Sequence, residues 1–150
     1  LDTRMSLENL LAIQRLVRHE AGRAAILKLL VAAERNLADA GVMAISAENR
    51  FDAAYKAILQ CAMAALSAKG YRTSTSQPGH HQTAIQTLPL TLAVDSATVM
   101  VLDALRKQRN LNDYTGDGVT DALLAECITQ AEALLKRARV TLGDSFHAAD

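Results

Sequence analysis

The chain has 150 residues, half of them hydrophobic and 3% aromatic, and its 16 basic and 16 acidic side chains cancel to a formal net charge of zero. That length supports one domain, residues 1–150, with a real core. The charge balance excludes a globally basic nucleic-acid binder and leaves only a local patch for such a role. Few aromatics argue against stacking platforms for single-stranded RNA, and no apolar run is long enough to predict a membrane span.

Ser6 is placed to cap a first helix over 6–19, with Leu7, Leu10, Leu11 and Val17 as its apolar face. A second helix is predicted over 23–40, with Ile26, Leu30, Ala33 and Leu37 on one stripe and Gly41 at its stop. Gly22 leaves open a single bent helix, since a helical glycine costs only about 1 kcal/mol. Ser46 caps a third helix, whose wide stripe of Phe51, Tyr55, Ile58, Leu59, Ala62, Met63 and Leu66 runs to Gly70. Residues 71–79 carry polar loop chemistry. A short helix over 80–88 is expected to end or kink at Pro89. From Val94, the residues Ala97, Val101 and Leu105 recur at steps of three and four, predicting a buried helix. Residues 114–118 read as a turn. A last helix spans 120–142, with Gly143 as its stop and 144–150 as a frayed tail. No strand-length alternation is present. The expected fold is all-α: an antiparallel up-and-down helical bundle with a four-helix core plus accessory helices.

The densest polar cluster follows Leu105. Continuing the inward stride by four places Arg109 towards the interior, where a guanidinium needs an anion or acceptors. Arg106, Lys107 and Arg109 therefore form a candidate phosphate-binding patch, with Asn110 beside them. The alternative is a solvated helix end, where cations suit the dipole. Lys136, Arg137 and Arg139 extend the patch only if they lie near Arg109. His80 and His81 are adjacent, so they point to different faces and rarely share one metal; no metal or cofactor site is expected. A surface role is a better reading, or a hydrogen bond from one ring into a neighbouring groove. Cys61 and Cys127 show neither metal-ligand nor disulfide spacing, and the chain starts at Leu1 without a basic-then-apolar leader. The thiol pattern predicts a reducing cytoplasm, and the start predicts no signal peptide. No nucleophile elbow, phosphate-binding glycine loop or dinucleotide fingerprint is present.

The run Arg109-Asn110-Leu111-Asn112-Asp113-Tyr114, late in an all-helical chain, resembles the Arg-Asn-x-x-x-His motif of the HEPN superfamily. Residues 49–57 are similar to that family's early core helix. Gly70-Tyr71-Arg72 and Gly79-His80-His81 are similar to the stretch between core helices in some members. The resemblance spans about residues 46–140. It implies a homodimer whose motif helices face each other across a two-fold axis. It also implies a metal-independent RNase or a nucleotide-binding relative, of the kind found in toxin–antitoxin and defence systems. Arg109 would then bind the scissile phosphate, Asn110 would orient it, and Tyr114 stands where the family has its catalytic histidine. A tyrosine, with an ordinary pKa of about 10, is a poor base at neutral pH. The resemblance thus implies an RNA- or nucleotide-phosphate site with weak or lost cleavage. A cognate antitoxin or nucleotidyltransferase is the implied partner. The competing expectations are a non-catalytic interaction subunit whose polar cluster only organises a dimer, and a plain helical bundle whose internal arginine is satisfied by a carboxylate such as Asp103 or Asp113. At residues 110–114, weak helix propensity predicts a loosened helix that lets Tyr114 fold back beside Arg109.

Overall fold

A computed structural model describes residues 5–149, with the side chains of residues 144–149 excepted. The fold is built around α3 (Ala47–Ala68), which Ser46 caps by accepting from the Asn49 amide at 3.1 Å. Phe51, Tyr55, Ile58, Cys61 and Leu66 on this helix are at most 1% exposed. Interleaved Ala54, Ala57, Ala62, Ala64 and Ala65 are equally buried and let neighbouring helices approach closely. α2 (Arg23–Ala40) and α7 (Asp121–Ala149) flank it, contributing Ile26, Leu30 and Ala33 from one side and Cys127, Ala131 and Ala138 from the other.

Cross-links between the helices set their directions. Arg50 Nε donates to the Ala40 carbonyl at 2.7 Å, so α3 begins where α2 ends and the pair is antiparallel. The Phe51 carbonyl lies 3.9 Å from Cys127 Sγ, near the start of both α3 and α7, so these two run alongside each other. α6 (Ser96–Thr115) brings Arg109 to Asp52 and its C-terminal end to Glu48, so it runs against α3. The four long helices therefore make the expected up-and-down all-α core. Two short helices, α4 (His80–Gln86) and α5 (Leu88–Leu92), are accessory, with Pro89 in the first turn of α5.

The amino-terminal expectation is corrected. No helix spans 6–19: α1 (Leu7–Ala12) stops early, and Gln14 adopts a left-handed φ of 65°. The chain then enters β1 (Leu16–Arg18), which pairs antiparallel with β2 (Tyr71–Thr73), Val17 opposite Arg72. The pairing satisfies backbone groups and seals a small second core of Leu16, Leu66 and Tyr71. This strand also removes the option of one bent helix through Gly22.

α6 starts two residues after Val94, where Asp95 accepts from the Thr98 amide at 2.8 Å. Val94 is buried outside the helix and Ala97 is exposed, so the inward stripe is Leu102 and Leu105, then half-buried Arg106, Arg109 and Asn112. The helix does not loosen at 110–114. It continues to Thr115, supported by Gln108 Nε2 donating to Asn112 Oδ1 at 2.8 Å, and ends at Gly116 with φ 72°. α7 likewise runs through Gly143 to Ala149, replacing the expected tail over 144–149; residue 150 lies outside the described residues. Among the described residues, no helix is long and apolar enough to cross a membrane.

Candidate functional site

A cleft of about 580 Å³ opens between α3, α4 and α6 beside β2. α3 supplies Asp52, Tyr55, Lys56, Leu59 and Met63; β2 and its following turn supply Thr73 and Thr75. α4 supplies His80, His81 and Ala84, and α6 supplies Arg109. The β1–β2 ribbon fixes the path into α4. Gly79 starts that helix at φ 83°, a conformation that other residues rarely adopt, and so sets the two histidines against α3.

Tyr55 is the platform. The Arg109 guanidinium sits 5.2 Å from its ring centroid, a cation–π distance, and the His81 ring lies 6.2 Å away, tilted by 59°. His80 meets His81 edge-on at 4.5 Å. Arg109 Nε stands 3.5 Å from Asp52 Oδ1, an ion pair without a hydrogen bond, because Nε finds no acceptor among the described residues. The Tyr55 hydroxyl is also buried without a hydrogen-bond partner among them. Two donor-bearing groups on one cleft wall thus lack acceptors. Side-chain burial of Arg109 is incomplete, at 30% exposure, so the cleft reaches solvent.

Local charge follows from this packing. Burial, then His80, Arg109 and Arg106, push the His81 imidazole below its ordinary value. Burial pushes the Tyr55 phenol up to about 12 against the opposing pull of Arg109 and Arg106, so it serves as a neutral donor. Cys61 and Cys127 are buried thiols, both pushed up to about 12 chiefly by desolvation.

The sequence-predicted residues divide. Arg109 enters the cleft as its stride implied. Arg106 is the more buried of the two arginines, at 14% side-chain exposure, and donates to Asp103 at 2.8 Å, with Lys107 on the same carboxylate at 3.5 Å. Burial raises the Asp103 carboxyl, but Arg106 and Lys107 outweigh it and hold it below the usual range. Arg106 and Lys107 are therefore both engaged by Asp103, one turn back on their own helix. Asn110 is exposed and Tyr114 is 93% exposed. Five residues along a continuing helix turn Tyr114 about 140° from Arg109, so it does not fold back within the chain. Lys136, Arg137 and Arg139 do not line the cleft: Arg137 donates to the Leu92 and Ala93 carbonyls at 3.1 and 2.9 Å, and Arg139 pairs with Glu34.

Two residues escape a motif-based reading. Tyr55 reads in sequence only as part of a core stripe. His81 is visible as half of a His-His pair, but its place against Tyr55 and near Arg109 depends on the chain reversal through β2 and Gly79. Comparison with family models, with curated proteins and with solved structures gave no match.

Proposed function

We propose that this chain is a HEPN-like helical domain that holds a phosphate of RNA or of a nucleotide at an Arg109-centred site, with weak or lost metal-independent RNase activity. The observation that carries the reading is Arg109 itself: a half-buried guanidinium against the Tyr55 ring, 3.5 Å from Asp52, whose Nε has no hydrogen-bond acceptor among the described residues, at the edge of an open cleft. A guanidinium in that state is matched to a phosphate oxygen pair, which supplies charge and acceptors together. Cleavage is weak in this reading because Tyr114 stands at the family's histidine position and lies on another face of α6 from Arg109.

A homodimer along α6 belongs to the same proposal. Met100, Ala104, Lys107, Leu111 and Tyr114 recur at alternating steps of four and three, and all are exposed. That is the spacing of a helix-pairing seam. It carries Asn110 within 40° of Tyr114, so a second copy packed there would meet both motif residues. This exposed face also supports the alternative of a non-catalytic interaction subunit, with an antitoxin or nucleotidyltransferase as the protein partner that the family resemblance suggests.

The test is binding and cleavage of a labelled single-stranded RNA in low salt with chelator, comparing wild type with Arg109→Ala and reading mass by light scattering. Losing charged hydrogen bonds of about 1.5–3 kcal/mol predicts a loss of affinity on the order of 10- to 100-fold. Equal affinity in both proteins would discard the phosphate site, and a monomer at micromolar concentration would discard the dimer.

A further inference from the structure

We propose that the α3–α4–α6 cleft binds a compact phosphomonoester of nucleoside-monophosphate size, its phosphate held between Arg109 and His81, with His81 taking up a proton as the dianion enters. This rests on the phosphate-site reading above and names its ligand class and its ionisable partner. Three observations converge. Arg109 and His81 both line this cleft and both approach one ring, at 5.2 and 6.2 Å from the Tyr55 centroid, and the Arg109 charge bears on His81. The Tyr55 hydroxyl and Arg109 Nε are buried donors lacking acceptors among the described residues, on a tyrosine that is 1% exposed. Beyond this cationic end the wall becomes apolar, through Leu59, Met63 and Ala84, within about 580 Å³, a size suited to a small molecule with a flat apolar body.

Charge around His81 sets the proton linkage. From α6 it faces Arg109 and Arg106, the latter tied to Asp103; from α4, His80; from α3, Tyr55, with Asp52 and Lys56 on the same cleft wall. Thr73 and Thr75 beside it add only hydroxyls. In the free protein burial and these cations favour neutral imidazole. A bound dianion reverses the local sign and favours imidazolium. The proton comes from solvent, the imidazole gains an N–H that donates to a phosphate oxygen, and no covalent bond of the ligand changes. Neutral His81 is also able to accept a proton from a ligand hydroxyl.

The experiment follows the His81 imidazole by NMR from pH 5 to 8 with and without sulfate, a dianion that does not itself titrate there. Calorimetry of adenosine 5′-monophosphate and adenosine accompanies it, on the full chain. The expected result is an upward move of the His81 midpoint by on the order of one unit with sulfate. The monophosphate should bind at least about tenfold tighter than adenosine, with proton uptake that differs between buffers of different ionisation enthalpy. His81→Gln should weaken the monophosphate about tenfold at pH 6. Arg109-dependent binding of monophosphate or RNA with an unmoved His81 midpoint overturns the His81 assignment and leaves the phosphate reading standing. RNA binding without monophosphate binding overturns the small-ligand assignment alone. A folded wild type that binds neither anion removes both. The titration of wild type needs no variant, so a misfolded His81→Gln protein does not blunt it.

Discussion

Tyr55→Phe tests the site's central feature directly. The ring is 1% exposed and its hydroxyl is buried without a hydrogen-bond partner among the described residues. Removing that oxygen keeps the ring, its packing on α3 and the Arg109 cation–π contact, and leaves no cavity larger than one atom. A buried hydroxyl without a partner costs about 1–3 kcal/mol. Ordering and partial access through the cleft reduce this, so a net gain of about 1 kcal/mol is the expected size, a rise of about 3 °C in the melting midpoint for a domain of this length. The assay is urea unfolding with a thermal melt, both at pH 7.5 without added anions. The same variant should lose anion affinity, because the donor that destabilises the free fold is the one that a ligand satisfies. A loss of stability of about 1 kcal/mol or more would refute the reasoning, since the hydroxyl would then have to be satisfied in the free protein. A gain in stability with unchanged anion affinity would keep the burial argument and remove Tyr55 from the site.

Three further outcomes follow from named side chains. His81 titrates below its ordinary value in the fold, so the unfolded chain binds more protons at acid pH. Stability is then present above pH of about 6.5 and falls as pH drops below it, a loss that His81→Gln should reduce in pH-dependent melts. Cys61, Cys127 and Tyr55 are held protonated by burial up to about 12, so stability is intact below their ordinary values and declines as pH rises from about 9 towards 12. A Cys61→Ala, Cys127→Ala double variant should show a flatter alkaline limb. Ser46→Ala removes the α3 cap on the Asn49 amide and should cost about 1 kcal/mol, or about 3 °C, with no effect on anion binding.

Local pattern made the long helices legible. The wide stripe of α3, the Ser46 cap and the regular spacing in α2 and α7 reflect faces that must be buried, and period and burial are written in neighbouring residues. Arg109 was legible for the same reason, since a stride of four from Leu105 carries it inward. Where the reading failed, the deciding contact was remote. Residues 13–19 look helical until Leu16 finds Leu66 and Tyr71, some fifty residues away, and the backbone pairs with β2 instead. Weak helix formers at 110–114 stay helical because the upstream turns of α6 are already packed and Gly116 supplies the stop, so Tyr114 points to solvent instead of to Arg109. The cleft itself joins Tyr55, His81 and Arg109 from three elements. Each of these residues carries its chemistry in the sequence, but their separation is a property of how the helices pack. Helix period is set by bonds four residues apart and can be read along the chain. Which faces meet is set by burial summed over the whole fold, and only the tertiary structure decides it.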